Sequence, residues 1–204
     1  KEVEIFNGEK WSKVKPFLAA EKALVFRITF NDGSILDVNE DHEFLLEGNN
    51  ATWYKRKTLD IKFHKDKMPK YSLPFIEGDE DEMAYTLGAF TGDGYVDGNK
   101  VFIYTPESKY PLIDHYENIL NIYHVRIKID IDLSLAKDLR DREKGLPEKI
   151  MMFNTKSALA FIAGLIDTDG SITNTNNIES YAIYSTSIKK LRDLQILARR
   201  AGIN

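Results

Sequence analysis

The chain has 204 residues, 43% of them apolar and 29% charged. That is enough for one large domain or two modest ones with a core each, and outside the composition of a disordered chain. It has no cysteine, which excludes disulfides, thiolate metal sites and cysteine nucleophiles within these residues and fits a reducing cytoplasm. No apolar run is long enough for a transmembrane helix, no membrane partner is expected, and Lys1-Glu2-Val3-Glu4 does not read as a signal peptide. The net charge of −4 is acidic for a nucleic-acid binder, but the charge is sorted along the chain. Lys55, Arg56, Lys57, Lys62, Lys65, Lys67 and Lys70 crowd together against Asp60 and Asp66, and Glu77, Asp79, Glu80, Asp81 and Glu82 follow.

The first part reads as β structure. Leu24, Phe26, Ile28 and Phe30 alternate with Val25, Arg27 and Thr29, the period of a half-buried strand. Asn31-Asp32-Gly33-Ser34 is a hairpin turn, and Ile35 to Val38 is the return strand. Phe44-Leu45-Leu46, Glu47-Gly48-Asn49-Asn50 and Thr52-Trp53-Tyr54 repeat the strand, turn, strand order. The basic stretch to Lys70 has no clear period and is interrupted by Pro69 and Pro74. A boundary near residues 71–80 divides the chain into domains 1–75 and 76–204.

The second part mixes helix and strand. Met83 to Thr91 is apolar and helix-compatible, ending at Gly92-Asp93-Gly94, and Tyr95 to Tyr104 reads as a hairpin turning at Asp97-Gly98-Asn99. Leu112, Ile113, Tyr116, Ile119, Leu120 and Tyr123 have helical spacing behind Pro111. Val125, Ile127, Ile129, Ile131 and Leu133 alternate strictly with polar residues, which predicts a strand over 125–133. Ala158 to Asp167 predicts a second apolar helix ending at Thr168-Asp169-Gly170, followed by a polar hairpin over 171–184. Ser187 caps a last helix carrying Ile188, Leu191, Leu194 and Leu197 inward, with Gly202 as its stop.

Met83–Gly94 and Leu159–Gly170 align without a gap, so that Asp169 stands 76 residues after Asp93. A hairpin and an amphipathic helix follow each copy. A glycine inside an apolar helix costs about 1 kcal/mol relative to alanine and is tolerated where another backbone comes close. Gly88 and Gly164, with Ala89 and Ala163 beside them, therefore predict two helices packed tightly together. Gly94 and Gly170 can take the left-handed terminating conformation. An aspartate at the negative end of a helix dipole is unfavourable, and a divalent cation between two of them offsets that cost. Side-by-side packing brings Asp93 and Asp169 together as hard oxygen ligands suited to magnesium. One Asp-Gly after an apolar helix usually marks no more than a helix end. Two in register, each with the same downstream pattern, point to a site.

Ala163-Gly164-Leu165-Ile166-Asp167-Thr168-Asp169-Gly170 closely resembles the motif that names the LAGLIDADG homing endonucleases, and Leu87 to Gly94 resembles a more divergent first copy. Leu146-Pro147-Glu148-Lys149-Ile150 and the segment from Tyr184-Ser185-Thr186-Ser187 to Ile203 resemble the flanks of the second motif, so the resemblance spans roughly residues 80–204. Phe26 to Ser34 with Val38-Asn39-Glu40-Asp41-His42-Glu43-Phe44 resembles a conserved block of inteins and hedgehog-type autoprocessing domains. His42 matches the histidine that helps activate the N-terminal splice junction, and Asn39 stands where a threonine is usual. Alone, such a histidine is more often structural.

The resemblance implies an α+β chain: a partial all-β hedgehog/intein (Hint) domain followed by a pseudo-twofold endonuclease domain with αββαββα repeats, saddle-shaped antiparallel sheets and an incomplete second repeat. It implies an intein-encoded enzyme that makes a site-specific double-strand break in DNA. Asp93 and Asp169, with the adjacent Gly92 and Thr168, form the metal set for Mg²⁺, with Mn²⁺ as a substitute. Lys144 falls at the family's position for a first-half catalytic lysine, and it reads equally well as an ordinary loop charge. A two-stranded ribbon fits the DNA major groove. Tyr95, Asn99, Lys100, Asn174, Asn176 and Asn177 are then candidate DNA contacts, against the alternative of a plain solvated hairpin. The basic stretch at 55–70 could extend the DNA contact.

The expected partners are double-stranded DNA with a long asymmetric site and, in the intact precursor, the host exteins. The expected state is a monomer in the cytoplasm of a bacterium or archaeon, or encoded by a phage. Against the intein pattern the chain is expected to be truncated at both ends, lacking a junction Cys or Ser, a final His-Asn and a second-half lysine, and as it stands it is not expected to splice. Two alternatives stay open: a splicing intein with a degenerate nuclease, and a non-cutting relative such as an RNA maturase or a DNA-binding regulator.

Overall fold

The computed structural model describes residues 1–7, 10–18, 20–69, 76–105, 126–175 and 178–203. It mixes helices with small antiparallel sheets, an α+β content. The chain divides into two compact units, Lys1–Pro74 and Phe75–Asn204. The helix expected over 112–123, with Val125, lies outside the described residues. So do Lys70, Pro74, Asn176 and Asn177.

Among the described residues the first unit has three antiparallel hairpins: β1 (Val3–Phe6) with β2 (Trp11–Val14), β3 (Val25–Thr29) with β4 (Ile35–Asn39), and β5 (Glu43–Glu47) with β6 (Trp53–Lys57). The β3–β4 turn holds Gly33 at φ 79°, where a side chain would be strained, and the Asp32 side chain accepts from the Ser34 backbone N–H at 2.8 Å. The core of this unit is small: Ile28, Val38, Phe44 and Leu46 are buried, with Phe30, Tyr54, Ile61 and Met68 packed against them. Leu24, expected on the inner face of β3, is 66% exposed because the strand begins one residue later.

Part of the unperiodic basic stretch is ordered by one carboxylate. Asp66 accepts from the Tyr54 hydroxyl at 2.9 Å and from the Lys62 backbone N–H at 2.8 Å, and it pairs with Arg56 at 3.2 Å. These partners hold its carboxyl below the usual range, the Lys62 backbone bond contributing most.

The second unit is built on two adjacent helices, α1 (Ala84–Asp93) and, six elements later among the described residues, α4 (Thr155–Asp169). Between them lie β7 (Gly94–Asp97), β8 (Lys100–Tyr104), β9 (Arg126–Ile129), α2 (Leu133–Arg140) and the short α3 (Glu148–Met151). After α4 come β10 (Gly170–Thr175), β11 (Ile178–Ile183) and α5 (Ile188–Arg200). Strands β7, β8 and β9 form one antiparallel sheet, and β10–β11 form a hairpin. The core runs from Leu87, Ala89 and Phe90 of α1 through Ile103, Ile127 and Leu139 to Ala158, Phe161 and Leu197.

Three expectations change. The strand predicted over 125–133 stops at Ile129, and Leu133 opens α2 instead. The Asp132 side chain accepts from the Leu135 backbone N–H at 2.8 Å and so caps that helix. Ile129, Ile131 and Leu133 are spaced by two, but Leu135, Ala136 and Leu139 continue them at helical spacing. The second apolar helix begins at Thr155, three residues before the predicted start, because the Asn154 side chain caps it by accepting from the Ser157 backbone N–H. Finally, Gly94 and Gly170 are extended, with φ −76° and −81°, rather than left-handed. Each helix passes straight into a strand, and glycine is needed for space. A Cβ on Gly170 would sit 2.6 Å from Ile166 Cα, and one on Gly94 would run into the Phe90 ring and carbonyl.

Candidate nucleic-acid interface and metal pair

The two helices approach through their glycines. A Cβ on Gly88 would fall 2.8 Å from the Phe161 carbonyl carbon, and one on Gly164 would fall 2.9 Å from the Ala89 nitrogen and 3.0 Å from the Tyr85 carbonyl carbon. Phe161 and Tyr85 occupy matching positions in the two aligned segments, so the contacts are reciprocal. Ala89 is fully buried beside the contact, whereas Ala163 faces solvent. The same correspondence governs the helix starts. The Ser157 hydroxyl accepts from the Asp81 backbone N–H, and the Asn154 amide donates to the Gly78 carbonyl; both pairs are separated by 76 residues. One contact breaks the equivalence: the Tyr85 hydroxyl donates to Asp167 at 2.8 Å, while Phe161, at the position matching Tyr85, has no hydroxyl.

At the C-terminal ends, Gly92 is buried against Thr168 and Asp169. A Cβ on Gly92 would sit 2.9 Å from Thr168 Cβ and 3.4 Å from Asp169 Cβ. The two Asp-Gly ends are thus neighbours, with Asp93 half-buried and Asp169 exposed. Thr168 spends its hydroxyl on the Gly164 and Leu165 carbonyls at 3.0 and 3.1 Å, and Gly92 brings only backbone to the site.

Among the described residues no group of three or more His, Cys, Asp or Glu converges on one point. The candidate donors at the two helix ends are the carboxylates of Asp93 and Asp169 with neighbouring backbone oxygens. That suits a hard cation that keeps several waters or borrows phosphate oxygens, the habit of magnesium rather than zinc.

A cation-lined cavity of about 430 Å³ opens beside this pair. Its walls include Thr91, Gly92, Arg140, Arg142, Asp169 and Lys190. Arg140 donates to the carbonyls of Thr91 at 2.8 Å and Gly92 at 2.6 Å, covering the negative end of α1. Burial lowers the Arg140 pKa and Asp169 opposes that shift. Lys190 donates to the Leu139 carbonyl. Burial pushes its pKa down, and repulsion from Arg140 adds to the effect.

Lys144 does not line this cavity. Its ammonium pairs with Asp138 at 2.6 Å, and that hydrogen bond raises its pKa above the ordinary lysine value.

The loop that carries Lys144 is fastened to α5 through its backbone. Ser187 Oγ reaches the Lys144 carbonyl at 3.4 Å, Lys189 donates to the Glu143 carbonyl at 2.6 Å, and Asp193 accepts from the Leu146 backbone N–H at 2.8 Å. Gly145 admits Asp193, since a Cβ there would lie 3.2 Å from the Asp193 carboxyl carbon. Asp193→Ala would leave the Leu146 N–H without its acceptor and should cost about 2 kcal/mol. Urea denaturation followed by helical circular dichroism would register it as a lowered midpoint at unchanged slope.

Register places the remaining candidates. Tyr95, Phe102 and Lys128 stand opposite one another across β7, β8 and β9, on the face away from Val96, Ile103 and Ile127. Tyr95 stacks on Phe102 with ring centres 5.4 Å apart, and the Arg126 guanidinium covers the same ring at 4.9 Å. Lys100 shares this face, and Asn99 is exposed in the turn. Arg126 and Lys128 were not among the predicted contacts. Their signal was the polar half of the alternation through 125–133. On the second hairpin Ser171, Thr173 and Thr175 share one face, while Asn174 lies on the other with Ile172 and Ile183.

In the first unit His42 and Asn39 are joined by a turn, with the His42 N–H donating to the Asn39 carbonyl at 3.3 Å. The buried Thr58 hydroxyl bonds the Asn39 carbonyl at 2.7 Å, and the Thr58 backbone N–H donates to the His42 carbonyl at 3.0 Å. The exposed His42 ring packs edge-on against Phe44 at 4.8 Å.

A family model described as a LAGLIDADG-like domain matches residues 156–204, from the first turn of α4 through α5. The match supports the LAGLIDADG family, whose domains are usually DNA endonucleases, and with it a nuclease-like, DNA-binding protein.

Proposed function

We propose that this chain is the nuclease-bearing part of an intein and that it makes a site-specific double-strand break in DNA. One observation carries the reading: α1 and α4 pack through Gly88 and Gly164 so that Gly92 meets Thr168 and Asp169 where both helices end in Asp-Gly. The reciprocal contacts support two related halves, as a long asymmetric DNA site requires, and action as a monomer.

Asp93 and Asp169 offer carboxylate oxygens at the negative ends of two helix dipoles, where a cation is favoured. Magnesium, when bound there, would orient a water for attack on a phosphodiester and offset charge on the leaving oxygen. Arg140 keeps the end of α1 in place through the carbonyls of Thr91 and Gly92. Lys144 is turned to Asp138, and no proton transfer is assigned to it. Tyr95, Lys100, Arg126 and Lys128 present an aromatic and basic strand face of the kind that enters a major groove.

In the first unit the Asn39–His42 turn, fixed by Thr58, supports reading these hairpins as part of a splicing domain. Splicing would belong to the full precursor with its exteins. The test is cleavage of the uninterrupted host gene by the full reading frame with magnesium. A break at the insertion point is expected, and an uncut gene at saturating protein and metal overturns the proposal.

A further inference from the structure

The cavity beside Asp169 gathers more positive charge than its walls neutralise. Arg140, Arg142 and Lys190 line it, and Asp169 at its rim is the one carboxylate of the lining. Arg140 and Lys190 bond neutral carbonyls rather than acids, and Arg142 has no ion pair or side-chain hydrogen bond among the described residues. Much of the remaining wall is leucine, from Leu139, Leu165, Leu191 and Leu194. Apolar walls lower the local dielectric and sharpen the repulsion among the three cations. An anion in the cavity would turn that repulsion into attraction. Ser185 and Thr186 add hydroxyl donors at the lining, just ahead of the positive end of α5.

We propose that this cavity is an oxyanion site that takes a backbone phosphate of a DNA strand through Arg140, Arg142 and Lys190. The anion chemistry stands on the cavity alone, while the source of the phosphate rests on the DNA-cutting function proposed above. Two features favour a phosphodiester over free phosphate. Asp169 at the rim repels a dianion more than a monoanionic diester. Tyr184, in the lining and 71% exposed, offers an apolar face to the sugar or base that comes with a strand.

The experiment measures binding of a fluorescent random-sequence duplex in EDTA across a salt series, for the wild type and the Arg142→Gln, Lys190→Gln double variant. The double variant should bind about tenfold more weakly at low salt, and the slope of log affinity against log salt should shrink by about one. Lys156→Gln, at the far end of α4 where Lys156 pairs with Glu80, should leave both unchanged. Arg142→Gln alone removes no side-chain hydrogen bond of the described residues, so it carries the test if the double variant fails to fold.

Unchanged affinity and slope in a folded variant overturn the proposal. So does unchanged duplex binding in a variant that loses a thermal stabilisation by inorganic phosphate measured for the wild type, which would assign the cavity to free phosphate. A wild type that binds no duplex at any salt removes the DNA-cutting reading along with this one, and so separates that failure from failure of the cavity alone.

Discussion

Replacing Gly88 with alanine is expected to destabilise the second unit by about 3 kcal/mol and to lower its melting temperature by about 10 °C. The new methyl would lie 2.8 Å from the Phe161 carbonyl carbon and 3.1 Å from the Leu165 nitrogen, closer still to the carbonyl oxygen. These are backbone atoms within a fifteen-residue helix, so no side chain can rotate to make room. The helices must separate, and the leucine and phenylalanine side chains around the contact lose packing over their whole length. Gly164→Ala should behave alike, because its methyl meets the Tyr85 carbonyl carbon and the Ala89 nitrogen. Alanine's better helix propensity returns only about 1 kcal/mol. Ala163→Gln, one residue away on the exposed face, should stay within about 0.5 kcal/mol of wild type. Urea denaturation of the three variants checks this, and a Gly88→Ala protein as stable as wild type would mean that the helices do not touch there.

What could be read from sequence was what depends on neighbours in the chain. The turn at Asn31–Ser34, the Gly98-Asn99 turn between β7 and β8, and the Ser187 cap of α5 are set by local backbone geometry and short polar side chains. The close glycine contact was legible because glycine inside an apolar helix has few other uses. The left-handed expectation for Gly94 and Gly170 failed because glycine serves two needs, φ freedom and lack of bulk, and sequence does not separate them.

The α2 helix was hidden by a coincidence of periods, with Ile129, Ile131 and Leu133 continuing the spacing of two across the Asp132 cap. The β1–β2 hairpin was hidden because Val3, Ile5 and Trp11 are exposed and show no burial rhythm. The cavity cations lay beyond sequence reading altogether. Lys190 reaches the Leu139 carbonyl across 51 residues, so only packing of α5 on the α2 loop brings Lys190 to Arg140 and Arg142. Lys144, singled out by its place in the family pattern, turns toward Asp138.

Asp93→Asn and Asp169→Asn are each expected to reduce DNA cleavage by a factor on the order of 10³ or more, while leaving folding and duplex binding intact. Asparagine has the same shape and keeps one carbonyl oxygen but carries no charge, so it loses most of its hold on a divalent cation. The same loss of charge removes repulsion toward phosphate, so binding of duplex in EDTA should be equal to or tighter than wild type. That opposite movement of binding and cutting marks a residue acting on the metal rather than on the fold. The helix ends should also tolerate the change, since an uncharged side chain at the negative end of a dipole is less costly than a carboxylate.

Counting both strands of the product refines the result. If the two aspartates hold one shared metal arrangement, either substitution stops cutting of both strands. If each aspartate serves its own strand, each variant leaves a nicked duplex, and the nick falls on opposite strands for the two variants. Full cleavage by both variants would remove the aspartate pair from the chemistry and, with it, the nuclease assignment.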